Sequence, residues 1–507
     1  MPEASRHLKY HFTMIQLPKP MLLMLCGLLS ALWAQAQAQA QAQPLPFAVE
    51  TALTQARVPL EAVSIWVAQA DRQVPPRLSH RADVPMNPAS VTKLVTIYAA
   101  LDLLGPAFVW HTPVWLDGPV KAGVLQGNLV IQGQGDPKLV VERLWLLLRR
   151  VQGMGVQRIA GNIVLDRHTF AVPPTDPGEF DGEPLRPANT SADALLLNFK
   201  TMVITFTPDA NGLIARVQVD PPLAGVVLPT QVPLSTSAVC GDYRAALKAN
   251  FSDPQRIQLA GSFPASCGEK VWSVAYPDPV SYNARAIDGL WRSMGGQLDG
   301  RVIDGVAPPS AASFELISPT LLEVVRDINK FSNNVMAQQL FLTLGRPAPI
   351  TSPTSLGNDT RPAPGTLAAT PESARAAVRQ WWQHRIHATD LPFIDNGSGL
   401  SRSTRISATQ LGQLLQTAYA SPQMPELMSS LPLVGVDGTL KRSHAATGSA
   451  HLKTGSLRDV TALAGYVHAT SGKRYVLVAI VNHPNAAAVK PALDALIDWA
   501  VMDNPDK

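Results

Sequence analysis

The chain has 507 residues, enough for two to four domains at roughly 150 residues each. Hydrophobic residues make up 46% and charged ones 16%, so a sizeable core can form and wholesale disorder is excluded. The formal net charge is +4, and removing Glu3, Arg6, Lys9 and Lys19 leaves 39 basic against 37 acidic residues, too even a balance for a general polyanion binder. Nucleic acid is therefore set aside as a partner.

Residues 21–34 form an apolar run of 14 residues behind a positively charged start. A spanning helix needs about 20 apolar residues, so the run fits a signal-peptide core better than a stable span. An Ala-Gln repeat follows to Gln43 and offers small-x-small cleavage sites such as Ala34-Gln35-Ala36. Residues 1–43 are expected to be a leader and linker, and the mature protein to be exported. A retained anchor helix is the competing reading. Lipoprotein processing at Cys26 is disfavoured by the bulky Leu25 before it. Loss of the leader leaves Cys240 and Cys267, which an oxidising compartment would join into a disulfide; two reduced, buried thiols are the alternative.

Residues 63–70 read as a strand. Residues 90–104 are the clearest helix, entered from Asn87-Pro88 and closed by Gly105. From residue 114 to about 276 the texture is short β-rich pieces with turns, interrupted by a helix at 141–151 with Trp145 on its packed face. Asp136 before Pro137 reads as a turn. Helical patterning returns at 282–294, 321–344, 370–385 and 407–420, around a Pro-rich stretch at 346–370. Residues 460–468 and 474–483 read as a hairpin, and 486–502 as a final helix. A strand near one end with a hairpin and helix near the other predicts one shared sheet. The expected division is a catalytic domain from 44–112 plus 277–507, split by a β-rich insertion at 113–276.

Three short motifs carry chemistry. Ser90-Val91-Thr92-Lys93 puts a lysine one helical turn from a serine, where a lowered lysine pKa would let it take the hydroxyl proton. This is the only Ser-x-x-Lys in the chain, and it opens the best-formed helix. Free backbone N–H groups at that helix start suit an oxyanion. Lys453-Thr454-Gly455-Ser456 offers a cation and two hydroxyls on a strand that a peptide could join by β-addition. Ser332-Asn333-Asn334 pairs a hydroxyl with an amide able to relay a proton and hold a carbonyl. Ser281-Tyr282-Asn283 competes with it, but Ser281 reads as a helix cap. The histidines have no metal-ligand spacing, and Gly133 and Gly135 lack the lysine of a phosphate loop. No metal or cofactor is expected.

In this order the motifs resemble those of the low-molecular-mass, class C penicillin-binding proteins of the D-alanyl-D-alanine carboxypeptidase/endopeptidase family. The resemblance extends to Asn87-Pro88-Ala89, Gly127-Asn128-Leu129, the stretches 133–137 and 395–402, and Val436-Asp437-Gly438-Thr439-Leu440, and runs from about residue 55 to 500. It implies an α/β fold: a β-lactamase/transpeptidase-like domain, an antiparallel sheet packed by helices plus a helical lobe, split by a large insertion. It also implies Ser90 as nucleophile, Lys93 as base, Ser332 and Lys453 in proton delivery to the leaving amine, and Asn334 on the substrate amide. Thr454, Gly455 and Ser456 would bind the substrate terminus, with the Ser90 and Ser456 N–H groups as oxyanion hole. Asp181 and Arg402 would pair with the free end of the stem peptide. The implied setting is the periplasm, with peptidoglycan stems and cross-links as substrates and β-lactams as covalent inhibitors. Peripheral membrane contact is left open. A β-lactamase on the same fold, or a retired cell-wall-binding protein, are the rival readings. The first leaves the insertion idle and lacks a recognisable deacylating glutamate; the second has no need of intact Ser90, Lys93 and Lys453.

Overall fold

The computed structural model describes residues 44–71, 74–346, 368–387 and 390–503. The expected leader at 1–43 and most of the Pro-rich stretch after Arg346 lie outside the described residues. Helix α1 (Phe47–Gln55) leads to strands β1 (Val63–Gln69) and β2 (Leu78–His80), then to α2 (Lys93–Leu104). After a long excursion the chain returns as α3 (Leu321–Phe331), α4 (Asn334–Leu344), α5 (Pro371–Ile386) and α6 (Ala408–Tyr419). It ends with β3 (Ala450–Leu457), β4 (Val460–His468), β5 (Arg474–Asn482) and α7 (Lys490–Val501).

The five strands form one antiparallel sheet in the order β3-β4-β5-β1-β2, so both ends of the chain share it as the sequence predicts. Alternation along each strand sends side chains to two separate cores. Trp66, Ala464, Tyr466, Val476 and Val478 pack against α2 to α6 on one face. Val67, Leu452, Leu463, Leu477 and Ala479 pack against α1 and α7 on the other. With both faces covered, β3 is left as an edge strand, and the start of α2 crosses it.

The excursion builds its own core. One of its sheets runs Val302–Asp304, Ile163–Asp166, Asn128–Gln132, His111–Asp117, Phe314–Ile317, and a second is centred on Thr201–Pro208 and Ile214–Asp220. Cys240 and Cys267 are joined by a disulfide at its edge. The expected boundary at residue 276 does not match the packing. Helix Tyr282–Ser293 gives Tyr282, Ile287, Leu290 and Trp291 to this core, and Phe314–Ile317 pairs with His111–Asp117. The helical spacing of 282–294 marks an amphipathic face but not which core receives it. Trp145 also departs from expectation: it is exposed, and the helix Val141–Gly153 buries Leu144, Leu147, Leu148 and Val151 instead.

Candidate active site

Ser90 lies on a 3-10 turn, Ala89–Thr92, and the α-helix itself begins only at Lys93. A 3-10 turn brings residues i and i+3 into eclipse, which sets the lysine directly on the serine. Asn87 holds the turn: its Oδ1 accepts the Ala89 N–H at 2.9 Å and its Nδ2 donates to the Ser401 carbonyl at 2.9 Å. Ala89 adopts φ 48°, a strained conformation for a residue with a Cβ, immediately before the serine.

Lys93 is fully buried and its Nζ has three oxygen neighbours: Ser90 Oγ at 3.0 Å, Asn334 Oδ1 at 2.7 Å and the Ser398 carbonyl at 2.6 Å. Two of these are carbonyl-type oxygens that only accept. An ammonium can donate to all three; once neutral, the amine keeps two N–H donors for the carbonyl-type oxygens and turns its lone pair to the serine hydroxyl. Burial, followed by the charge of Lys453, pushes the Lys93 pKa well below its ordinary value. Geometry and electrostatics both favour an amine ready to accept the Ser90 proton.

Ser332 caps α3 in the left-handed conformation, φ 55°, and breaks the helical run expected over 321–344 into two helices. The break turns its hydroxyl toward Lys453, whose Nζ donates to Ser332 Oγ at 2.9 Å and to the Thr454 carbonyl at 2.8 Å. Burial lowers the Lys453 pKa to about 7. Ser281, the competing serine, is held in the insertion, where its hydroxyl accepts from Arg285 Nε at 2.9 Å; it stands at the cap position without making the side-chain cap bond.

Strand β3 completes the site. A Cβ on Gly455 would stand 2.4 Å from the Pro88 carbonyl and 3.1 Å from the Ser90 nitrogen, so the strand passes the nucleophile at a distance that only glycine permits. The Leu452 N–H donates outward, away from β4, to the Pro432 carbonyl at 2.9 Å. By strand alternation the N–H groups of Thr454 and Ser456 lie on that same outer side. Thr454 Oγ1 bonds Thr439 Oγ1 at 2.7 Å.

The structure therefore brings Ser90, Lys93, Ser332, Asn334, Lys453, Thr454, Gly455 and Ser456 together. Asn334 presents its oxygen to Lys93, which leaves its Nδ2 as the amide group turned outward, with a long 3.4 Å contact to the Ala188 carbonyl. Asp181 and Arg402 do not meet. Asp181 is engaged by Arg186 at 2.5 Å and Asn189 at 2.7 Å, while Arg402 pairs with Asp459 at 3.0 Å and stacks over the Phe180 ring at 4.6 Å. A cleft of about 480 Å³ lies there, lined by Phe180, Gln338, Asn396 and Arg402 among others. A second cleft of about 640 Å³ opens on the other side, lined by Ser90, Ser332 and Thr454–Ser456. Sequence reasoning assigned no role to Ser398, whose carbonyl binds Lys93, or to Thr439. Both stand in stretches that it noted, 395–402 and 436–440, but nothing local says that a backbone oxygen will meet a lysine 305 positions away.

An activated serine between two buried lysines, on an antiparallel sheet covered by helices, defines an active-serine acyl-transfer protein of the penicillin-binding fold. The chain belongs to the D-Ala-D-Ala carboxypeptidase 3 (S13) family, whose model matches residues 45–502. It is 25% identical over 410 residues to the D-alanyl-D-alanine carboxypeptidase DacB of Haemophilus influenzae, covering 78% of this chain and 80% of that one. It is 27% identical to the D-alanyl-D-alanine carboxypeptidase of Actinomadura sp. strain R39, covering 83% of this chain and 78% of the relative. The fold matches the crystal structure of penicillin-binding protein 4 from Haemophilus influenzae with TM-score 0.67 at 22% identity, over 89% of this chain and 99% of the other.

Proposed function

We propose that this chain is an exported, periplasmic serine-type D-Ala-D-Ala carboxypeptidase that also cleaves peptide cross-links ending in D-alanine. Ser90 attacks the carbonyl of the penultimate D-alanine and passes its proton to Lys93. The Ser90 Oγ–C bond forms and the C–N bond to the leaving residue breaks, with Ser332 giving the leaving amine a proton that Lys453 helps to resupply. The Ser90 and Ser456 N–H groups receive the oxyanion, Asn334 Nδ2 orients the substrate amide, and Thr454 and Ser456 bind the terminal carboxylate. Water then releases the acyl group. β-Lactams acylate Ser90 in place of the peptide. Arg402, on the 480 Å³ cleft, contributes to the stem's free end, whereas Asp181, already paired with Arg186 and Asn189, is the weaker partner there. Packing supports drawing the insertion as residues 111–317 within this catalytic domain.

The observation that carries the reading is Lys93 Nζ, fully buried, lowered in pKa and 3.0 Å from Ser90 Oγ. Purified mature protein mixed with fluorescent penicillin should form a long-lived adduct that Ser90→Ala abolishes, and should release D-alanine from a D-Ala-D-Ala pentapeptide. Fast drug turnover without D-alanine release would instead mark a β-lactamase; absence of both would mark a retired scaffold.

A further inference from the structure

The two clefts meet the reaction centre from different directions. Asn334 begins α4, and Gln338 one turn further on lines the 480 Å³ cleft together with Asn396 and Arg402. The hydroxyl of Ser332, the group that protonates the leaving amine, opens instead on the 640 Å³ cleft. A proton donor must stand within hydrogen-bond reach of the atom it serves, so the leaving group departs into this second cleft. A lone D-alanine needs little room. A volume of 640 Å³ lies in the range of sites that take a ligand the size of a short peptide.

Two cations and one acid line this cleft. Arg442 and Lys490 line it and are exposed, and neither has an ion-pair or hydrogen-bond partner among the described residues. The acid on the same wall, Asp494, is already engaged: Oδ1 accepts from Ser443 Oγ at 2.6 Å and Oδ2 from the His444 N–H at 3.2 Å. Those two bonds tie the loop that carries Arg442 to α7, which carries Lys490, so the two cations are set across a fixed opening. Leu493 and Ile497 of α7 supply an apolar wall.

We propose that the cleft between β3 and α7 is a leaving-side subsite for a carboxylate-bearing peptide, recognised by Arg442 and Lys490. The inference rests on the D,D-peptidase reading and extends it: the leaving group is an anionic peptide, as in cleavage between two stems, as well as a single D-alanine. A mobile carboxylate that meets two unpaired cations beside an apolar wall gains charge-assisted hydrogen bonds without displacing an internal partner.

The test compares the full mature chain with Arg442→Ala, Lys490→Ala and the double variant on two substrates. One releases D-alanine; the other releases a short peptide bearing two carboxylates from the same acyl donor. The ratio of kcat/KM for the second substrate over the first is expected to fall about tenfold in the double variant and to lose its salt dependence, with partial recovery in Arg442→Lys. An amidated leaving peptide should show no such fall. A ratio that stays at the wild-type value, or wild-type protein that releases D-alanine but never the acidic peptide, overturns the inference and leaves the carboxypeptidase reading in place. Wild-type protein that releases neither product overturns the reading beneath it.

Discussion

Lys93 and Lys453 are both fully buried, each set against one serine, Ser90 for the first and Ser332 for the second. After the dominant effect of burial, the charge on Lys453 is what lowers the pKa of Lys93 further. In the proposed mechanism the two lysines serve opposite protonation states, one neutral and one charged, in a single site.

This pairing predicts a bell-shaped pH profile for acylation. The reaction needs neutral Lys93, so the rate rises with pH through its lowered pKa. It also needs charged Lys453, so the rate falls as pH passes about 7. In Lys453→Met the residual rate should lose the descending limb, and the ascending limb should move to higher pH because the neighbouring positive charge is gone. Acylation by fluorescent penicillin between pH 5 and 9 reads both limbs; an ascending limb that stays in place in the variant contradicts the coupling.

Gly455→Ala tests how closely β3 passes the nucleophile. The new Cβ would stand 2.4 Å from the Pro88 carbonyl, and neither backbone can yield without moving Ser90. A displacement of about 1 Å costs on the order of 100-fold in rate. Acylation should fall by about that factor while the melting temperature changes little. Wild-type acylation kinetics in this variant would show that the strand and the turn are not in contact during the reaction.

Gln339 fastens the insertion to α4. It is fully buried, its Oε1 accepts the Asp193 N–H at 2.9 Å and its Nε2 donates to the Asp193 carbonyl at 2.9 Å. Gln339→Leu strands two buried backbone groups, at a cost of roughly 2–5 kcal/mol. It also loosens the helix packed over Lys93; burial is the first cause of that lysine's lowered pKa, so the pH at which acylation begins should rise along with the loss of stability. Gln339→Glu, whose carboxyl burial favours in the neutral form, reproduces the acceptor and donor and should recover part of the activity. Loss of stability with an unchanged pH profile would confine Gln339 to a structural role.

Asp136 is a turn residue, as its position before Pro137 suggests, with Oδ1 accepting the Lys138 N–H at 2.8 Å. It is also buried, and its Oδ2 has no hydrogen-bond partner among the described residues. Burial, opposed by that backbone bond and by Arg143 and Lys138, raises its pKa to about 6. A carboxyl with a raised folded-state pKa contributes its stability below the unfolded value near 3.8 and loses it as pH climbs through about 6. Asp136→Asn should therefore be more stable than the wild type at pH 8, by up to about 3 kcal/mol, and the advantage should vanish near pH 4. Thermal melts at the two pH values measure this; an advantage independent of pH would mean that the carboxyl is not the cause.

What could be read from the sequence was local. Ser90 and Lys93 are one turn apart, the 460–483 hairpin alternates with period two, and the three motifs stand in a recognisable order. Such patterns depend on bonds and side-chain directions that repeat within a few residues. The tertiary structure decided what these elements meet. The Ser398 carbonyl reaches Lys93 across 305 positions, Gln339 clasps Asp193 across 146, and helix Tyr282–Ser293 joins the insertion core. The physical reason is that an amphipathic face states that it will be buried, but the choice of core is made by packing among distant segments. For Asp181 and Arg402, whose charges suggest partners for one ligand, the fold adds neighbours that the sequence reading did not name, Arg186 and Asp459. The sequence by itself pointed to the groups expected to react; only the folded sheet, covered on both faces, set each lysine against a serine and passed Gly455 close beside the Ser90 turn.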